Sequence, residues 1–224
     1  MVHPHPRHNP DEFSVPEDIR PRCRFVGQIV RPSVIKPRPP SVSPSLRITV
    51  CGGAGGYPGT VEFYNLALTA IAECRSALSE FKATLIVGPL FRDWKKLSLR
   101  EGIRVLPFEP DMATTLAASD LVLCQAGYNT IAEISAIGTP AICVPGDRGL
   151  DDQYERARTL AQSVPTFSVF ESGTAQQLAK LIVASLRKHR KERPSPTHVS
   201  SPGASLAAQI ILDLVMTRTS RMMD

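Results

Sequence analysis

At 224 residues the chain has room for one full domain of about 150 residues plus tails. Its apolar share of 42% and charged share of 21% are those of an ordinary globular domain and exclude a fully disordered chain or a coiled coil. The net charge of +5 is local: residues 1–47 hold eight basic and four acidic residues, and RKHRKER (187–193) holds five basic residues and one acid. Such patches can meet phosphates of nucleic acid or anionic lipid. Solvated tails and a solvated helix end are the simpler account of them, and no nucleic-acid partner is expected.

Eleven of the twenty prolines lie in 1–58 and three more in 193–202, which puts the folded part in the middle. No window approaches the ~18 consecutive apolar residues of a membrane span. MVHPHPRHNP lacks the apolar core of a secretory signal. Cys23, Cys51, Cys74, Cys124 and Cys143 show no CxxC spacing and are expected as reduced thiols in a cytoplasmic chain.

In chain order, residues 1–45 read as a polar tail, a short β-like run at CRFVGQIV (23–30) and a Pro-rich linker that can join neither a helix nor a central strand. The folded domain is expected over 46–188. LRITVC (46–51) is a strand ending at GGAGG, and apolar positions at helical spacing predict a helix over 60–80. ATLIVG (83–88) and GIRVLPF (102–108) are strands, followed by a short helix from Asp111. DLVLC (120–124) leads into a helix closed by Gly138, PAICVP (140–145) into a helix over 151–162, and TFSVF (166–170) into a helix over 174–188. A linker over 189–203 precedes a terminal helix over 204–218, expected to bury Leu206, Ile210, Ile211 and Leu214 on one side. Strands apolar on both faces, alternating with helices, predict an α/β fold with a single doubly wound parallel sheet. No internal repeat is visible. Ligands of such sheets sit at the carboxyl ends of the strands, so the loops that follow the strands carry the argument.

After the first strand, Gly52, Gly53, Gly55 and Gly56 let backbone N–H groups approach a phosphate beside a helix N-terminus. A tight turn without a ligand fits equally. The loop is not GxxxxGK[ST], since no Lys follows, and Pro58 stands where GxGxxG needs its last Gly. After the fourth strand, Gly127 permits a sharp turn, and Asn129 or Thr130 can cap the helix. Thr130-x-x-Glu133 also reads as a capping box, whereas the functional alternative places Glu133 against vicinal hydroxyls. After the fifth strand, Asp151 or Asp152 could be an N-cap; otherwise Asp152 and Gln153 bind sugar hydroxyls with Arg148 near phosphate. No D-x-D with a helper carboxylate stands at a strand end, so no metal site is indicated. The five histidines, His3, His5, His8, His189 and His198, fall in tails, linkers or a helix end, leaving no histidine base in the core. No G-x-S-x-G elbow exists. Without a histidine partner, Cys51, Cys124 and Cys143 read as small core residues.

The run IRVLPFEPDMATTLAASDLVLCQAGYNTIAEISAIGTPAICVP, followed by DDQYERARTL, resembles the glycosyltransferase family 28 C-terminal domain. This is the Rossmann-like C-terminal half of a GT-B glycosyltransferase, in a family whose type member adds GlcNAc to the lipid-linked peptidoglycan precursor. The resemblance runs from about Cys23 to Val183. It implies a hexosyltransferase whose substrate is a nucleotide-sugar, UDP-linked, with no cofactor and metal-independent departure of the diphosphate. By the same resemblance, Phe108 and Met112 would hold the base, and Gly127, Asn129 and Thr130 the diphosphate. Glu133 would bind the ribose, Asp152 and Gln153 the sugar, and the glycine loop would face the cleft. Two departures stand out: Gln125-Ala126 precede Gly127 where the type member has Arg, and Tyr128 replaces a small residue, where it narrows the site or stacks on the base. No catalytic residue is assigned. An N-terminal acceptor half, on a separate chain or missing, is implied as partner, with the domain cytoplasmic at the inner membrane face. The rival expectations are a nucleotide-sugar hydrolase or epimerase of the same shape, and a non-catalytic donor-binding subunit.

Overall fold

The structure, a computed structural model, describes residues 2–3, 16–26, 29–30, 45–78, 80–147, 149, 151–191 and 203–221. Contacts divide the chain into two units, one formed by Met1–Pro32 with His198–Asp224 and the other by Ser33–Thr197. In the first unit, β1 (Val2–His3) pairs in parallel with β2 (Arg24–Phe25). Among the described residues of the β-like run predicted over 23–30, Arg24 and Phe25 alone are strand. Helix α6 (Gly203–Arg221) covers the predicted terminal helix, but the expected one-sided burial is not found. Leu206, Ile211 and Leu214 are 42%, 55% and 63% exposed. The predicted linker segments at 31–44 and 192–202 lie outside the described residues.

The second unit holds a six-stranded, all-parallel sheet. Its strands are β3 (Leu46–Cys51), β4 (Phe81–Ile86), β5 (Ile103–Leu106), β6 (Leu121–Cys124), β7 (Ala141–Cys143) and β8 (Phe167–Val169). Their spatial order is β5-β4-β3-β6-β7-β8. The chain therefore winds outward from β3 to β5, returns to the other side of β3, and winds outward again to β8. Right-handed crossovers in opposite directions place the connecting helices on opposite faces, which makes the sheet doubly wound.

One face is covered by α1 (Thr60–Glu73) and α5 (Ala175–Lys191). Ile48, Val50, Leu85, Leu121, Leu123 and Ile142 of the sheet pack there with Tyr64, Leu68 and Ile71 of α1 and Leu178 and Ile182 of α5. Each such fully buried side chain contributes roughly 1.5–3 kcal/mol. The predicted helix over 60–80 is shorter: α1 ends at Glu73 and tightens into a 3-10 turn at Cys74–Ser76, a common way of closing a last turn. The other connections are α2 (Met112–Ala118), α3 (Tyr128–Ile137) and α4 (Gln153–Ser163). The α3 helix buries Ile131, Ile134 and Ile137 and stops at Gly138, whose φ of 79° only glycine adopts without strain.

Candidate functional site

The winding reverses between β3 and β6, whose carboxyl ends are adjacent in register at Cys51 and Cys124. A crevice at such a reversal is where ligands of doubly wound sheets bind. Two loops flank it, each opening a helix. On the β3 side the glycine loop folds against the end of β4: Leu90 N–H donates to the Ala54 carbonyl at 2.9 Å. A Cβ on Gly55, which has φ +80°, would collide with the Val87 carbonyl and with Phe91. A Cβ on Gly52 would lie 2.5 Å from the Tyr64 hydroxyl, which donates to that same Val87 carbonyl at 2.8 Å. Close packing against Tyr64 of α1 explains Gly52, and close packing against the loop after β4 explains Gly55, without any ligand. Gly53 differs, because a Cβ there would meet open space. The loop ends at Gly59 and α1 begins with no capping side chain. Thr60 is 1% exposed, and its hydroxyl has no partner among the described residues.

On the β6 side the turn is Gln125-Ala126-Gly127, and α3 begins at Tyr128 with Gly127 as its N-cap and no side-chain cap. The capping box expected of Thr130 and Glu133 is not formed, since both residues lie inside the helix. Their spacing fits the pattern, but the helix starts three residues earlier because Gly127 takes the extended conformation, with φ −65° and ψ 136°. Tyr128, Asn129 and Thr130 are the first three residues of α3, so their N–H groups form its positive end. Glu133 is half-buried, and its carboxylate is near enough to Cys51 to raise that thiol's pKa.

The loop from β7 to α4 is tied to this turn by side chains. Arg156, from α4, donates to the Ala126 carbonyl at 2.9 Å, pairs with the Asp151 carboxylate and lies 5.7 Å over the Tyr128 ring. Gln153 is fully buried; its Oε1 accepts from Gly146 N–H at 3.1 Å and its Nε2 donates to Asp151 at 3.2 Å. Gln125 is 3% exposed and reaches under Gly146, where a Cβ would lie 2.9 Å from its amide nitrogen. Asp152 caps α4 through Glu155 N–H at 2.9 Å, the structural role weighed for it in the sequence. The structure thus brings Gly127, Tyr128, Asp152 and Gln153 into one braced assembly, with Gln153 turned inward as part of the brace. Arg148 lies outside the described residues. Phe108 is 57% exposed beyond β5, and Met112 opens α2 behind the Asp111 cap. Both stand at the same carboxyl edge of the sheet, toward its β5 end.

Burial pushes the Cys51 thiol up to about 12, with negative potential from Cys143 and Glu133 adding to it. Cys124, a free thiol hydrogen-bonded to the Cys143 thiol and fully buried, is also raised well above its ordinary value. Thiols held neutral in this way are not nucleophiles. Burial also pushes the Tyr128 phenol up to about 12 against the opposing charge of Arg156.

The sequence profile of the glycosyltransferase family 28 C-terminal domain matches residues 48–210, most of the chain. The chain belongs to this family. It is 30% identical over 209 residues to a UDP-N-acetylglucosamine–N-acetylmuramyl-(pentapeptide) pyrophosphoryl-undecaprenol N-acetylglucosamine transferase of Rhizobium johnstonii, covering 87% of this chain and 54% of that one. The like-named protein of Pelobacter propionicus is 36% identical over 119 residues, covering 52% of this chain and 31% of that one. The solved structure of Acinetobacter baumannii MurG superposes with a TM-score of 0.60 at 20% identity, over 95% of this chain and 59% of that chain. The chain therefore has the fold of a GT-B half and spans about half the length of the curated relatives it matches.

Within this family 28 domain, reasoning from sequence singled out the turn and loop residues but missed what braces them. Arg156 stands in the DDQYERARTL run, yet its reach back to Ala126 depends on the angle between α3 and α4, which no local pattern encodes. Thr60 escapes sequence reasoning for a related reason, and Gln125 stands out there only as a departure from the family pattern. A buried hydroxyl without a partner and an amide beneath a glycine become visible only when the loops are assembled.

Proposed function

We propose that this domain binds the nucleotide-sugar donor of a hexosyl transfer, with the donor diphosphate held between the N-termini of α1 and α3. The carrying observation is that both helices flanking the reversal begin behind a glycine with no capping side chain. Two uncapped positive ends directed at one crevice favour an anion. In the reaction they stabilise the charge that develops on the departing diphosphate. Gly53, Asn129 and Thr130 offer backbone donors there; Gly127, whose own N–H donates to the Gln125 carbonyl at 2.6 Å, turns the chain into α3, and Glu133 accepts from the ribose hydroxyls. Phe108 and Met112 flank the base, and Asp152 with Gln153 shapes the sugar end. Uridine and N-acetylglucosamine are the donor components supported by family membership together with the relatives' names. The acceptor half and the general base are assigned to polypeptide beyond these 224 residues. An undecaprenyl-type acceptor would place the work at a membrane surface. No metal is invoked for departure of the diphosphate.

Titration calorimetry with UDP, ADP and GDP, each with and without EDTA, tests this reading. UDP is expected to bind most tightly, and equally with EDTA. Failure of all three nucleotides would overturn it.

A further inference from the structure

The two faces of the sheet differ at its β5 side. Ile48, Val50, Ala83, Leu85, Ile103 and Val105 point into the core under α1 and α5. By strand alternation, Arg47 and Thr49 of β3, Lys82 and Thr84 of β4, and Arg104 of β5 share the opposite face. The register pairs Arg47 with Lys82, Thr49 with Thr84, and Thr84 with Arg104. Three cations and two hydroxyls therefore stand side by side on three neighbouring strands. A cavity of about 410 Å³ opens over them, closed on one side by Thr115 and Ser119 at the end of α2. It lies toward the amino ends of the strands: Arg47 is the second residue of β3, whereas the crevice begins beyond its last.

No acidic side chain is among the residues lining this cavity. The Nε of Arg47 is buried and has no partner among the described residues. The Asp120 carboxylate accepts the backbone N–H of Arg47 at 2.8 Å. The acceptors at the end of α2 are taken up: Ser119 Oγ donates to the Thr115 carbonyl, and Ser119 N–H and Thr139 Oγ1 donate to the Leu116 carbonyl. Thr49 is buried and its hydroxyl donates to Ser119 Oγ at 2.7 Å. What remains is a concave surface carrying the three cationic side chains and the Thr84 hydroxyl. Positive charge on an edge strand often serves only to prevent edge-to-edge pairing. That accounts for Arg104 on β5 but not for Arg47 or Lys82, whose strands are paired on both sides.

We infer that this cavity is a second anion site, separate from the crevice, which takes a small phosphate-bearing ligand. Guanidinium groups and an ammonium with an adjacent hydroxyl, that of Thr84, match phosphate oxygens in charge and donor chemistry. A volume of about 410 Å³ is in the range of small-molecule pockets.

The probes are inorganic phosphate and pyrophosphate, followed by amide shifts of the ¹⁵N-labelled chain with and without saturating UDP. Phosphatidylglycerol vesicles form a separate arm. Pyrophosphate is expected to shift the amides of Thr49, Thr84 and Arg104 whether or not UDP is present. The double variant Lys82→Gln/Arg104→Gln is expected to weaken it about tenfold or more, as loss of charged hydrogen bonds implies, with UDP affinity and melting temperature unchanged. These side chains are solvent-facing, and the single variants serve if the double variant folds poorly. Shifts confined to Gly52–Gly56 and Gln125–Tyr128 would overturn the inference, as would unaltered affinity in the variants. Binding to vesicles without binding to either free anion would also overturn it. The arm without UDP reads the cavity even if UDP does not bind, so failure here is distinct from failure of the donor proposal.

Discussion

Glu133 lies in the second turn of α3, not in its first, and the helix it belongs to has no capping side chain. Removing its charge should therefore cost the helix little. Glu133→Gln is expected to shift thermal stability by less than about 1 kcal/mol, below the range for a lost cap. Uridine nucleotide affinity should fall by about tenfold or more, the equivalent of one charge-assisted hydrogen bond. Calorimetry of unfolding and of binding on the same variant separates the two quantities; a loss of stability with affinity intact would return Glu133 to a structural role. The thiols give a pH prediction of definite sign. Cys51 is raised from 9.0 to about 12, so the folded state keeps a proton that the unfolded chain releases. Stability from this group is complete below pH 9 and falls as pH rises toward 12, by roughly 1 kcal/mol per pH unit. Alkaline denaturation midpoints should show this slope, and Cys51→Ala should flatten it. Iodoacetamide at pH 8 should label Cys51, Cys124 and Cys143 only after unfolding.

Arg156 couples two elements: it sits on α4 and holds the turn that opens α3. Arg156→Ala removes the bond to Ala126, the pair with Asp151 and the contact with Tyr128. A loss of about 2 kcal/mol in stability is expected from the charged hydrogen bonds alone, along with weaker nucleotide binding from a looser α3 N-terminus. Arg156→Lys should recover only part of either, because an ammonium lacks the planar fork that serves two acceptors at once. Parallel melting and titration of the two variants checks this; full rescue by Lys would show that charge alone matters. The contrast with Thr130 and Glu133 shows what is legible at this scale. Periodicity places α3 correctly, because Ile131, Ile134 and Ile137 mark its buried side. The start of the helix is ambiguous from spacing, since Gly127 and Thr130 are both acceptable caps and only backbone conformation decides between them. The glycine loop is legible as a turn, but the reason for Gly55 is the Val87 carbonyl just beyond β4, more than thirty residues along the chain. The burial expected of α6 failed for a similar reason: apolar residues at Leu206, Ile211 and Leu214 show what a helix could bury, not that anything covers it.

At the scale of the molecule, alternating apolar strands and helices make a doubly wound parallel sheet legible. The order β5-β4-β3-β6-β7-β8 is not, because each crossover could turn either way along the sheet. That order fixes the crevice between β3 and β6, and with it what the domain can do unaided. The crevice is flanked by two helix N-termini, yet the loops at this edge contain no histidine. The carboxylates of the β7–α4 loop are engaged. Asp147 accepts from Gly149 N–H at 3.1 Å, Asp151 is paired with Arg156, and Asp152 caps α4. A general base must reach the acceptor hydroxyl in a productive geometry, and groups held in this way would have to give up the contacts that shape the loop. The chain by itself is therefore expected to bind UDP-GlcNAc but neither to transfer the sugar to a polyprenyl-linked acceptor nor to hydrolyse it. Adding an acceptor-bearing half should bring transfer without changing UDP affinity. Radiolabelled UDP-GlcNAc, followed by chromatography of lipid-linked and free sugar, reads both outcomes. Label in the lipid fraction from the chain alone would show that a base and an acceptor surface exist within it. Free sugar from the chain alone would favour the hydrolase reading, with Asp147, Asp151 or Asp152 as the base to test next.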